Sequence, residues 1–351
     1  MSANNDIQAI QLTNVQLIQY VSFMLYSLNT IIGPVIGVLG IIGNIINIII
    51  FHRHGFQHAM NITLTALSVS DILALLTLRV YNILWNPWTD YSNVDYVAGD
   101  LITMLSTHPH NYCVRVCGYV TAFASFEKCL SVLAPLKVKQ IITKKVAIVT
   151  NVVIFVSMLM TLFPAYYVYY LDRKFSPKLN RTILQMNFRD FRQAVLSVSY
   201  FITDLAVPFL SFLSIIACNI ALAIAVKRNV SWRNSLSTKD ISKTKTLSKK
   251  ETKLVLMLLI MSVVFLVCLI PKSALLTASS IDRSLGLGGS HFYIGEMIFG
   301  LTLYTESVNS SVNILIYYKM SSRYRTSLHE IWTQATERLH CFRSKDNLHD
   351  I

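Results

Sequence analysis

The sequence predicts an all-α membrane protein, a seven-transmembrane helix bundle with a short amphipathic eighth helix. Three observations lead there. Hydrophobic residues make up 53% of the 351-residue chain and charged residues only 14%, against about a quarter in an ordinary soluble domain. The apolar residues gather in seven long stretches, and about 20 residues suffice to cross a bilayer as a helix. The Lys and Arg between those stretches fall mainly on alternate sides, which sets the orientation in a membrane.

Each stretch must be helical, because hydrocarbon satisfies no backbone hydrogen bond. The first runs from Ile31 to Phe51 without a charge. Gly33, Gly37, Gly40 and Gly43 share one of its faces and suit close helix packing, while Asn44 and Asn47 require polar partners inside the bundle. The second, about Met60 to Leu84, holds Asp71 half-way across and Arg79 two turns further out, expected to face a watery cavity. A carboxylate at such depth is costly and marks a functional position. The third, about His108 to Leu133, has Pro109 in its expected first turn, where proline is tolerated, then Arg115. Its end, Glu127-Lys128-Cys129-Leu130, runs on to Pro135-Leu136-Lys137 and joins an uncharged stretch to a basic one. His108 and His110 alone are too few for a zinc site.

The fourth stretch, Val146 to Tyr170, ends in Pro164 and an aromatic group of Tyr166, Tyr167, Tyr169 and Tyr170, ordinary anchors at the headgroup level. The basic loop after it carries Asn180-Arg181-Thr182, a glycosylation acceptor at Asn180. The fifth, Ala194 to Val226, has Asp204 as its sole charge and Pro208 one turn on. A Ser-, Thr- and Lys-rich connector, Lys227 to Thr252, follows and offers phosphorylation sites. The sixth, Leu254 to Ser280, begins below the membrane near Lys249 to Lys253 and carries Pro271 and Lys272; a proline there kinks a helix. The seventh, about Phe292 to Tyr318, holds Glu296 and Glu306. Its Asn309, Ser310 and Asn313 lie on one side and need an internal partner, for which Asp71 is the obvious candidate. Ser321 to Trp332 reads as an amphipathic helix on the membrane surface.

With the N-terminus outside, 20 of the 31 Lys and Arg lie on the cytosolic side, seven outside and four within helices. The parts are then an extracellular tail over residues 1–30, a seven-helix bundle over 31–318, the surface helix over 319–332 and a cytosolic tail over 333–351. The net charge of +13 suits an anionic leaflet or an acidic partner and gives no reason to invoke nucleic acid. The first thirty residues lack the basic start of a cleaved signal peptide. None of the six cysteines falls in an expected outer loop, so no extracellular disulfide is expected, and no Cys-x-x-Cys spacing suggests a metal.

Together these positions resemble the rhodopsin-like, class A, G-protein-coupled receptors over about Ile31 to Leu328. Gly43-Asn44 resembles that family's first-helix motif and Leu67 with Asp71 its second. Glu127-Lys128-Cys129 with Pro135-Leu136 resembles its Asp/Glu-Arg-Tyr motif. Phe265, Cys268 and Pro271 resemble the sixth-helix pattern, Pro208 the fifth, and Asn313 to Tyr317 the Asn-Pro-x-x-Tyr motif. More narrowly, the stretches Phe126 to Lys139 and Val308 to Tyr318 resemble the molluscan chemosensory-receptor-like group, which is similar to invertebrate peptide receptors such as those for FMRFamide. There are departures. Lys128 stands where the family has Arg, Leu269 replaces its tryptophan, Ile314 its proline, and Cys117 stands where a serine often helps bind sodium. The family's usual outer disulfide has no candidate cysteines, which leaves open how the second outer loop is held.

The resemblance implies a plasma-membrane receptor, not an enzyme, with no cofactor beyond a sodium ion held by Asp71, Asn309, Ser310 and Asn313. Its partners would be an extracellular ligand, a heterotrimeric G protein and membrane lipid. It places ligand contacts at Arg79, Tyr81, Trp85, His110, Asn111, Arg115, Tyr200, Asp204, Lys272, Ser273 and Glu306, and brings Arg115 near Asp204 and Lys272 near Glu306. It places the switch and coupling surface at Glu127, Lys128, Cys129, Pro135, Leu136, Glu251, Pro271, Asn313 and Tyr317. His110 occupies the third-helix position that holds an aspartate in amine receptors, so a simple biogenic amine is disfavoured. A light receptor of this family has a lysine in the seventh helix, and Phe292 to Tyr318 has none. The alternative, a membrane transporter of a small polar solute, calls for inverted repeats, which the chain does not display.

Overall fold

The computed structural model describes residues 2–84, 94–177, 180–235, 241–282, 284 and 291–349. The described residues fold into seven long helices, with a two-stranded hairpin at one end, termed the outer end below, and one further helix after the seventh. Six of the seven are long and apolar enough to cross a membrane. The seventh, Phe292–Met320, is less apolar because it carries Glu306 and the polar run from Asn309 to Asn313.

The first helix, Ser2–His54, starts far earlier than the expected Ile31, and its apolar part is Ile31–His54. Residues 1–30 contain neither glycine nor proline, so nothing in them ends the helix once it is nucleated. The second helix is Ala59–Leu84. The third is Ala98–Leu133, with a π turn at Thr103–Thr107. Pro109 lies in the first turn of the α-helical part, His108–Leu133, as expected, but the span itself begins earlier with Ala98–Ile102 and the π turn. Proline has no N–H and crowds the turn before it, and the π turn absorbs both. The fourth helix is interrupted: Lys144–Leu159 stops, and Phe163–Val168 restarts with Pro164 in its first turn. Strand β1, Tyr169–Ser176, begins where the helix was expected to continue to Tyr170.

Strand β2, Arg181–Phe188, pairs antiparallel with β1, Tyr169 opposite Phe188 and Ser176 opposite Arg181. Asn180 sits exposed in the turn with φ +49°, a conformation asparagine tolerates. This hairpin lies where the sequence predicted a loop, and backbone bonds tie it down. Val97 N–H donates to the Leu184 carbonyl at 2.9 Å, and Leu184 N–H to the Asp95 carbonyl at 2.7 Å. Met186 N–H donates to Asp100 Oδ2 at 2.7 Å, and Arg181 Nη2 to the Val94 carbonyl at 2.8 Å. All five described cysteines are free.

The fifth helix runs through Arg192–Tyr200, a π turn at Phe201–Ala206, and Val207–Ser235. The sixth is Ile241–Ile281 with Pro271 inside. The surface helix, Ser322–His349, extends past its expected end at Trp332.

The first helix packs on the second and seventh, the second on the third, the third on the fifth, and the sixth on the seventh. Their shared core includes Ile50, Leu67, Val116, Val120, Phe212, Phe265, Leu269 and Tyr317. The fourth helix packs peripherally and turns Val149, Val152, Val153 and Val156 outward, as a lipid-facing helix should. At Gly40 a Cβ would lie 2.1 Å from Ser311 Oγ and 2.8 Å from Leu75 Cδ1, so the absent side chain sets how near the first and seventh helices come.

Candidate functional site

Between the outer halves of the third, fifth, sixth and seventh helices lies a narrow cavity of about 50 Å³, lined by Asn111, Arg115, Asp204, Lys272, Ser273 and Glu306 among apolar side chains such as Phe212, Phe265 and Leu269. Arg115 is fixed by three bonds. Its Nη2 donates to Asp204 Oδ1 at 2.9 Å, its Nη1 to Thr161 Oγ1 at 2.8 Å and its Nε to the Thr203 carbonyl at 2.9 Å. The local sequence explains the last acceptor. Pro208 has no N–H to return to the preceding turn, and the π turn moves the unmatched carbonyl from residue 204 to 203. Arg115 takes what the fifth helix leaves unbonded.

Lys272 Nζ lies 3.0 and 3.1 Å from the two carboxylate oxygens of Glu306 and 2.9 Å from Asn111 Oδ1. His110 Nε2 approaches Glu306 Oε2 at 3.0 Å. Its Nδ1 lies 3.1 Å from the Ala74 carbonyl and 3.3 Å from Thr77 Oγ1. Glu306 is 2% exposed and Lys272 7%, so these charges are tolerable only because they are paired and hydrogen-bonded. Thr305 Oγ1 donates to the Cys268 carbonyl at 2.9 Å, which ties the seventh helix to the sixth beside Pro271.

Four of the expected ligand contacts lie elsewhere. Arg79 turns to the first helix: a Cβ on Gly37 would meet its guanidinium at 2.7 Å, and the missing side chain gives the arginine its room. Tyr81 is buried in an apolar cluster with Leu78, Ile102 and Leu303. Tyr200 bonds the Tyr169 hydroxyl and is 42% exposed. His110 stands behind Glu306 rather than on the cavity wall. Trp85 lies outside the described residues.

Deeper in the bundle, Asn313 Nδ2 donates to Asp71 Oδ2 at 2.8 Å and the Cys117 thiol lies 3.4 Å from Oδ1, with Ser310 also hydrogen-bonded to this carboxyl. Asn309 is buried, but among the described residues no bond joins it to Asp71. A polar chain continues from here toward the end of the bundle opposite the hairpin. Asn44 Nδ2 donates to the Ser310 carbonyl at 2.8 Å, Asn47 Nδ2 to Asn44 Oδ1 at 3.2 Å, and Tyr324 Oη to Asn47 Oδ1 at 2.5 Å. Burial pushes the Tyr324 hydroxyl above the usual phenol range, so it acts as a donor.

The family model for the 7 transmembrane receptor (rhodopsin family) matches residues 43–317, a stretch containing all seven membrane helices' polar positions described above. The chain belongs to the rhodopsin family of seven-transmembrane receptors. No curated protein is similar enough to match it.

At the end of the receptor opposite the hairpin, a cavity of about 440 Å³ is lined by Lys128, Lys253, Met257, Tyr317, Arg323 and Tyr324, among others. Glu127 Oε2 accepts from Thr63 Oγ1 at 3.2 Å, and Thr63 Oγ1 accepts in turn from Asn151 Nδ2 at 3.3 Å. The acid thus faces the second and fourth helices. Cys129 is buried. Pro135 and Leu136 begin the short helix Pro135–Ile141, and Glu251 lies in the cytosolic part of the sixth helix; the side chains of these three lie outside the described residues. Tyr317 is 1% exposed, packs edge-on against Phe51 and has a buried hydroxyl without a hydrogen-bond partner among the described residues.

The sequence did not mark Thr63, Thr161, Ala74 or Thr203 as partners of the charged groups. Their roles come from helix packing and from carbonyls freed by a π turn, for which no residue pattern is diagnostic.

Proposed function

We propose that this receptor binds an extracellular ligand carrying charge of both signs, such as an amino acid, a short peptide or another chemosensory compound, and activates a heterotrimeric G protein at the plasma membrane, with its N-terminus outside. The observation that carries the reading is the pair of ion pairs, Arg115 with Asp204 and Lys272 with Glu306, on the walls of one cavity. A ligand with both charges exchanges partners with such pairs and leaves no buried charge unmatched. The resemblance of the third- and seventh-helix motifs to molluscan chemosensory-type and FMRFamide-type receptors supports the same ligand classes. The coupling surface is the cytosolic cavity with Lys128, together with Leu136 and the end of the sixth helix. An ion at Asp71, by the same resemblance, is sodium.

The test is a screen of amino acids, short amidated peptides and water-borne odorants for nucleotide exchange on G protein, followed by a charge swap. Arg115→Asp combined with Asp204→Arg is expected to restore surface expression lost in either single variant. Potency should remain reduced by more than about tenfold, ~1.4 kcal/mol. Wild-type potency in the expressed swap would make that pair a structural bridge only.

A further inference from the structure

Glu306 is one acid between two nitrogen bases, Lys272 and His110. The hydrogens on His110 follow from its neighbours. Nδ1 lies 3.1 Å from the Ala74 carbonyl oxygen, which only accepts, and the nearby Thr77 hydroxyl gives its own hydrogen to the Ala74 and Leu73 carbonyls at 2.8 and 3.1 Å, so Nδ1 carries a hydrogen. Nε2 lies 3.0 Å from Glu306 Oε2. Two lone pairs do not face each other at that distance in a dry interior, so a hydrogen lies on this line as well. Assigned to the imidazole or to the carboxyl, it is one proton more than a neutral histidine and an ionised glutamate hold between them. Lys272 keeps its ammonium, bonded to Glu306 and to Asn111. The three side chains thus carry one positive charge in excess.

Among the described residues, none around His110 cancels that charge. The second helix offers the Ala74 carbonyl and the Thr77 hydroxyl; its Arg79 is turned to the first helix, and its Asp71 is bonded to Asn313 and Cys117. Asp204 of the fifth helix is taken by Arg115. The fourth helix carries its charges, Lys144 and Lys145, at the cytosolic end. The sixth contributes Lys272 and the seventh Glu306, while Glu296 of the seventh lies about 15 Å further along that helix.

We propose that the outer cavity is a site for an oxyanion: the carboxylate of a ligand takes Lys272 from Glu306, and the proton shared with His110 keeps Glu306 partnered while it does. The inference rests on the proposed function only in taking this cavity as the ligand's. Lys272 and Glu306 line the cavity, whereas His110 does not. The exchangeable cation therefore faces the ligand and the reserve cation stands behind. Without His110, an arriving anion would strand a buried carboxylate beside itself, two like charges in a medium that screens them poorly. His110 is a positioning residue that makes Lys272 available.

The experiment uses the full-length receptor in lipid nanodiscs, with butyrate and butylamine as matched probes. Butyrate is expected to raise the melting temperature and butylamine to leave it unchanged. His110→Gln should weaken butyrate binding by about tenfold or more. Adding Glu306→Gln to His110→Gln should restore it, because the competing carboxylate is gone; loss of a merely structural histidine would not be repaired this way. Equal stabilisation by both probes, no response to butyrate, or a double variant as weak as the single one overturns the proposal. A measurement on the wild type needs no variant that must fold. Histidine-selective nitrogen NMR together with carboxyl infrared spectroscopy should find the extra proton on His110 or on Glu306. A singly protonated His110 beside an ionised Glu306 overturns the charge count. Butyrate binding as expected without any nucleotide exchange on G protein upholds the anion site and removes the receptor-coupling reading instead.

Discussion

Asp71 is 1% exposed and gathers donors from the third and seventh helices, Cys117 and Asn313. If the carboxylate is the ligand of a sodium ion, as the family resemblance implies, Asp71→Asn removes the charge and keeps the shape. Wild-type receptor should then melt at a higher temperature in sodium chloride than in choline chloride, and Asp71→Asn should melt alike in both. A difference that persists in the variant would place the sodium effect elsewhere. The position was legible in the sequence because a lone charge at mid-span has nowhere to go except the interior. Weighing each charge alone did not pair Lys272 with Glu306 or Arg115 with Asp204; the family resemblance did, and both pairs form. Charge alone misplaced Arg79, because it took no account of the hole that Gly37 leaves beside it. It could not foresee the bond from Arg115 to the Thr203 carbonyl, which exists only once the π turn has formed.

Among whole elements, glycines and strand ties carry the sharper tests. A Cβ at Gly40 meets Ser311 and Leu75, whereas one at Gly99 meets nothing within 4 Å. Gly40→Ala is expected to cost about 1–3 kcal/mol by overpacking. Gly99→Ala, in the helix at the start of the third span, should be neutral or stabilise by about 0.5–1 kcal/mol through chain entropy. Melting temperatures of the two variants should move in opposite directions or, at the least, only Gly40→Ala should fall. The outer hairpin depends on Asp100, whose carboxylate accepts from Met186 N–H at 2.7 Å. Asp100→Ala should speed amide hydrogen exchange across residues 181–188 by about fivefold to tenfold, the loss of one charge-assisted bond of ~1–1.5 kcal/mol. Unchanged exchange there would assign the hold to the Asp95 and Val97 backbone bonds alone. The seven membrane helices were legible from the apolar runs. The hairpin was not, since Arg181 to Phe188 lies in a polar, basic segment and its pairing with residues 94–97 is long-range.

At the scale of the molecule, the proposed coupling surface is the cavity to which the third helix contributes Lys128 and the sixth Lys253 and Met257. Glu127 is occupied by Thr63 on the second helix. A lysine offers a compact charge where an arginine offers a planar fork with several donors, so the resting arrangement should be loosely held and basal activity appreciable. Lys128→Arg is expected to lower basal nucleotide exchange by about fivefold, ~1 kcal/mol, with ligand affinity reduced in the same sense as the resting state gains. Unchanged basal exchange and coupling in that variant would rule this out. The direction of insertion was readable from Lys and Arg alone as an expectation; how far the first and last helices extend was not, because no glycine or proline marks an end within residues 2–30 and the surface helix runs on through polar sequence to His349.

The outer hairpin is closed by main-chain bonds to residues 94–97 and by Asp100, and the described cysteines are all thiols. Its assembly thus owes nothing to an oxidant. Dithiothreitol should leave hydrogen exchange in the hairpin unaltered, where a receptor stapled by a disulfide would loosen. A cell-free extract kept reducing throughout synthesis should yield the same outer surface as a secretory cell.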